Sequence, residues 1–142
     1  MLKKIVLALI ALLILGAAFI LFRADDKEDA SLKNIHIIIK TDEEVILDDR
    51  FETKTASLKD LLCELEKAET IVMDYEEGPY GMYIKALGKG KLYYEDSLKG
   101  LYWTYDSKNN ATCLTNAFCP VADEVFLEDG DAFVFSLSSY AS

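Results

Sequence analysis

Eighteen consecutive residues without a charge or a proline, 5–22 (IVLALIALLILGAAFILF), constrain this chain more than any other feature, because such a run must be kept out of water. As a helix rising about 1.5 Å per residue it reaches about 27 Å, against about 30 Å of hydrocarbon in a bilayer. Its length is that of a membrane span. Lys3 and Lys4 precede it, and Arg23 is followed at once by ADDKED, so the basic end is expected in the cytoplasm and the acidic end outside. The competing reading is a cleaved signal peptide, since Gly16-Ala17-Ala18 supplies small residues that a signal peptidase accepts. Cleavage after Ala18 would leave FILF exposed, which favours an uncleaved, single-pass anchor over residues 1–23 of a cell-membrane protein.

The chain beyond the anchor is strongly acidic. Past residue 23 stand 12 basic and 25 acidic residues, a net charge of −13. Such a surface repels phosphate backbones, and no basic stripe reverses it, so nucleic-acid binding is excluded. The main use of the acidity is solubility. Metal binding is not expected either: no C-x₂-C pair exists and the single histidine, His36, falls in a strand pattern. No serine elbow, phosphate loop or partnered carboxylate pair is visible, so an enzyme is not expected.

Residues 24–34 are polar and aperiodic and read as a tether, leaving 35–142 as the folded domain. IHIIIK (35–40) alternates β-branched residues and reads as a buried strand. EEVILDD (43–49) supplies a second one, close enough to pair with it as a hairpin. The period then changes. Leu58, Leu61, Leu62 and Leu65 fall at i, i+3, i+4 and i+7, the apolar stripe of one helix, with Ser57 as its N-cap and Asp60 in the capping-box position. Strand candidates come next at TIVMDY, GMYIKAL, KLYY, GLYWTYD, EVFL and AFVFSL, broken at Gly78-Pro79, Gly88-Lys89-Gly90 and Asp129-Gly130. Two strands, a helix and several more strands predict an α+β fold in which one helix lies across one curved sheet.

PYGMYIKAL, then GLYWTYD, then LEDGDAFVFSL resemble, in that order, the transcobalamin-like C-terminal domain family, over roughly residues 35–137. The resemblance implies a β-grasp-like sheet, antiparallel or mixed, with one packed helix. It also implies kinship with one half of the vitamin B12 carriers, and so a cobalamin-like corrinoid as the first candidate ligand, with no other cofactor. In those carriers the ligand is clamped against a separate helical barrel, which has no counterpart here. DSKNNATCLTNAFCPVADE departs from the family pattern by its length and its two cysteines.

Six of the eight tyrosines and the only tryptophan lie between Glu77 and Asp106. On an ideal strand Tyr80, Met82 and Ile84 share one face and Gly81, Tyr83 and Lys85 the other, while Trp103 and Tyr105 share a third. A sheet covered by one helix buries one face fully, so some rings are left for a flat ligand, with Tyr80, Tyr83, Trp103 and Tyr105 the candidates. Packing and cross-strand contacts are the commoner use of such residues. Gly81 inside a strand pattern points to a bulge or a close backbone approach, and the resemblance favours the bulge. Cys113 and Cys119 enclose LTNAF and are placed to close a short disulfide loop, while Cys63 points off the leucine stripe toward solvent. LEDGDAF has too few alternate oxygen ligands for calcium and reads as a turn with Gly130 at positive φ. Asn110-Ala111-Thr112 is a glycosylation sequon, relevant only in a eukaryotic secretory route. The expected function is that of an extracellular small-ligand-binding module. The alternative is an interaction module that docks a protein, such as a transporter component, through an exposed strand edge or loop.

Overall fold

A computed structural model describes residues 31–139; the expected anchor and most of the tether lie outside them. Among the described residues no helix is long and apolar enough to cross a membrane. The strands are β1 (Lys33–Thr41), β2 (Val45–Thr53), β3 (Val72–Gly78), β4 (Gly81–Gly88), β5 (Tyr93–Tyr94), β6 (Leu101–Asp106) and β7 (Ala132–Ser139). The helices are α1 (Leu58–Lys67) and the five-residue α2 (Ala111–Thr115), and a 3₁₀ turn spans Ala122–Glu124. The class is α+β, as the order of periods predicts.

The single curved sheet is corrected to two. One has the order β2-β1-β7-β6, the other β3-β4-β5. In the first, β1 and β2 form the expected antiparallel hairpin, while the first and last strands, β1 and β7, lie parallel at its centre with Ile37 beside Phe133 and Ile39 beside Phe135. The inner face of that pair is fully buried, because Ile35, Ile37, Ile39, Phe133 and Phe135 all turn toward the core. The outer face carries His36, whose Nε2 lies 2.5 Å from Asp48 Oδ1 on β2. β2 is an edge strand, and its run Asp48-Asp49-Arg50 is exposed, which discourages pairing with another chain.

Ser57 caps α1, its hydroxyl accepting from the Asp60 N–H at 3.2 Å. Leu58, Leu61, Leu62 and Leu65 are all buried in the same core cluster as β1 and β7. A ten-residue helix is marginal alone, and burial of each leucine, worth about 1.5–3 kcal/mol, is what holds it. EVFL does not form a strand. Val125 and Leu127 are buried, but Leu58 N–H to Val125 O and Leu127 N–H to Ala56 O bond them to the segment entering α1, while the Val125 N–H turns back to Ala122 O in the 3₁₀ turn. That leaves a single bridge in place of a ladder.

Candidate functional site

The turn Gly78-Pro79-Tyr80-Gly81 joins β3 to β4 with two residues between the paired glycines. Tyr80 sits on its tip, 87% exposed, and is separated from the other candidate rings. Gly81 is not the bulge. The register shift falls between Asp74 and Tyr75, while Gly81 has φ +110° and its Cα faces the chain's own Asp123, where a Cβ would stand 2.9 Å from Oδ1. Of the two roles open to this glycine, the close backbone approach is the one realised. Asp123 accepts from the Met82 N–H at 2.8 Å through the same oxygen, and its other oxygen lies 3.3 Å from Lys59 Nζ. Lys59 also reaches Glu77 at 2.5 Å, which ties α1 to the β3–β4 hairpin. The Met82 N–H, with Lys59 behind it, holds the Asp123 carboxyl below its usual range.

Beyond the turn, Met82 and Ile84 turn into the core and Tyr83 turns out. The Tyr83 hydroxyl donates to Glu95 Oε2 at 2.5 Å, and this bond, with some burial, raises the phenol to about 12. Glu95 Oε1 accepts from the Trp103 N–H at 3.0 Å, so one carboxylate bridges β4 and β6. The Trp103 indole donates to Tyr93 O at 2.8 Å. Tyr105 stacks 5.3 Å from Phe135 at an interplanar angle of 35° and donates its hydroxyl to Pro120 O at 2.8 Å. Burial, and the Asp123 charge after it, push Tyr105 to about 12.

Pro120 belongs to the segment that roofs the site. Cys113 and Cys119 are bonded, with Cα atoms 4.1 Å apart. The base of the loop is held by Asn110, fully buried, which caps α2 by accepting from Cys113 N–H and donates to Asp131 Oδ2 and Phe126 O, both at 2.7 Å. Buried Asp131 also accepts from the Glu128 N–H, so its carboxylate closes the Asp129-Gly130 turn, where Gly130 has φ +89°. The sequon asparagine is thus a structural pin. Cys63 is half-buried and belongs to no disulfide.

These pieces enclose an open groove of about 680 Å³ between β4 and β6. Tyr83, Trp103 and Tyr105 line it, with Phe135 as the floor and Ala117–Val121 as the roof. Three of the four candidate rings are brought together and Tyr80 is not among them. Phe118, 68% exposed at the rim, and Glu95, which fixes two of the walls, are not marked by any pattern in the sequence. The only signal for Phe118 is its place inside the cysteine-bracketed LTNAF. Among the described residues no group of three or more His, Cys, Asp or Glu side chains converges where a metal ion would sit.

No family model matches the chain, and no curated protein matches it in sequence. In structure it is similar to a "putative metal binding protein" from Ruminococcus gnavus ATCC 29149, with 23% identity and a TM-score of 0.53 over 75% of this chain and 97% of that one. It is also similar to haptocorrin in complex with Cbi, with 16% identity and a TM-score of 0.59 over 78% of this chain and 26% of haptocorrin. The chain therefore spans about a quarter of haptocorrin's length. At these identities the shared property is the fold, which is transcobalamin-like.

Proposed function

We propose that the chain is a small-ligand-binding module that holds a flat, largely apolar ligand in the groove between β4 and β6, with a corrinoid as the first candidate. The observation that carries this reading is the convergence of Tyr83, Trp103, Tyr105 and Phe118 on one open groove of about 680 Å³. Ligand sites of this kind are concave, mostly apolar and lined by aromatic side chains. Trp103 and Tyr105 are held by hydrogen bonds to backbone carbonyls, so little side-chain entropy is lost when a ring settles on them. The transcobalamin-like fold, shared with haptocorrin in its complex with Cbi, supports the choice of ligand. The apolar run at residues 5–22 supports an anchored, extracellular placement. No reaction is assigned to the chain.

Equilibrium dialysis of the full-length protein against cobinamide tests the proposal. Saturable retention is expected, weakened about tenfold or more in Phe118→Ala, the loss of roughly one buried ring face. No retention at high micromolar cobinamide would contradict it. One observation favours a second reading: β6 is an edge strand, bonded on one side to β7 alone along most of its length. In that case the groove takes a protein segment added to the edge. Chemical crosslinking from a cysteine placed at Thr104 would then capture a protein partner while cobinamide fails to compete.

A further inference from the structure

We propose a second binding site, on the outer face of the four-stranded sheet, that takes a small zwitterion in which an ammonium stands between two acid groups, the chemistry of an acidic amino acid. It is independent of the groove and of the ligand proposed for it.

Register fixes the residues of that face. On β7, Ala132, Val134 and Ser136 alternate with buried Phe133 and Phe135, so they turn away from the core. Ser136 lies between Lys40 on β1 and Thr104 on β6, and Val134 lies between Ile38 and Asp106. Asn109 accepts from the Ala132 N–H and donates to Gly130 O, which folds the chain leaving β6 over the start of β7 and brings Lys108 to that end. Together they form a depression of about 410 Å³. The short side chains of β7 are its floor. Lys40 and Lys108 stand toward its two ends, with Asp106 between them.

Its polar groups are uncommitted. On the outer face of the three-stranded sheet, Lys85 pairs with Glu76 and the Tyr94 hydroxyl donates to Asp74. Elsewhere on the outer face of the larger sheet, His36 is held by Asp48. Within the depression, the side chains of Lys40, Thr104, Asp106, Lys108 and Ser136 make no hydrogen bond or ion pair among the described residues. Two lysines against one aspartate leave this face at +1, on a chain that carries −13 beyond residue 23.

The order of these groups selects the ligand. Around Ser136 one ammonium and two hydroxyls offer donors, with no carboxylate in the same row, which suits a ligand carboxylate. Asp106, one row on, is the acceptor for a ligand ammonium. Lys108 then faces a second acid group, and Val134 and Ala132 carry the methylenes between the two. A plain dianion would leave Asp106 opposed, and a plain amine would meet both lysines. The sequence acid, ammonium, acid answers all three charges.

Equilibrium dialysis of the full-length protein against L-glutamate tests the site, with L-glutamine, which lacks the second acid group, and glutarate, which lacks the ammonium, as controls. Glutamate should be retained saturably and at least about tenfold more tightly than either control, the loss expected for one charge-assisted hydrogen bond. Lys108→Gln should erase the preference over glutamine and Asp106→Asn the preference over glutarate. Both positions are exposed, and an unchanged urea midpoint shows that each variant keeps the fold. No retention of glutamate up to about 10 mM, equal retention of the three probes, or preferences that survive both substitutions would overturn the inference. Cobinamide retention reports on the groove alone, so either site can fail while the other stands.

Discussion

Gly81 shows how much one residue can decide here. Its φ of +110° is a region that L side chains rarely adopt, and an added Cβ would stand 2.9 Å from Asp123 Oδ1 and 3.1 Å from Val121 Cγ2. Gly81→Ala should therefore cost about 1–3 kcal/mol, read as a lower urea midpoint at unchanged slope. Val121 lines the groove, so the same variant should also weaken cobinamide retention. The phenols give a second residue-scale prediction. Tyr83 and Tyr105 are both raised from 10.0 to about 12, the first chiefly by its bond to Glu95 and the second chiefly by burial. A folded-state value above the unfolded one means their contribution is complete below pH 10 and is lost as pH rises through about 12. Absorbance at 295 nm should show Tyr83 and Tyr105 among the late-ionising phenols, with one late step missing in Tyr105→Phe. Ionisation of every tyrosine together near pH 10 in the folded protein would contradict the burial of Tyr105.

At the scale of elements, α1 carries the clearest stability predictions. Ser57→Ala removes the cap on the Asp60 N–H and should cost about 1 kcal/mol. Leu62→Ala, in a fully buried position, should cost about 2–5 kcal/mol. Thermal or denaturant unfolding measures both. The Cys113–Cys119 link closes a loop with a sequence separation of 6, short enough that chain entropy assigns it about 2 kcal/mol. Its greater effect should be local: Cys113→Ser with Cys119→Ser should weaken cobinamide retention by freeing Phe118 and Pro120. Retention unchanged in that variant would show that the loop does not shape the site. Helix α1 was legible because leucines at helical spacing and a capping serine agree, and the β1–β2 hairpin because β-branched alternation and a short turn agree. α2 was not legible, since its five residues have no apolar period and its anchor is a single buried asparagine. EVFL carried a true alternation of burial, but strand formation needs a partner of matching length, which a single segment does not reveal.

For the whole molecule, the division into two sheets is what makes a groove. β5 pairs with β4 only at Ala86 and Leu87, and the link to β6 is the Trp103 indole bond to Tyr93 O with one backbone bridge from Asp96, just past β5, to Leu101, so the lower halves of β4 and β6 are left apart. The parallel pairing of β1 with β7, the first strand with the last, depends on tertiary packing, and neither alternation nor turn signals encode it. The candidate rings were therefore legible as a set, while their meeting place, its roof and the isolation of Tyr80 were not. Among the described residues the acidic charge is unevenly answered: Lys40 and Lys108 lie on the far face of the main sheet, away from the rings. Trp103, the only tryptophan, forms one wall of the groove, so any ligand held there must touch or approach the indole. Titration of the full-length protein with cobinamide, followed by Trp103 emission and corrected for inner-filter loss with free N-acetyltryptophanamide, tests this most directly. Saturable quenching is expected. Emission that stays constant into the high micromolar range would contradict it.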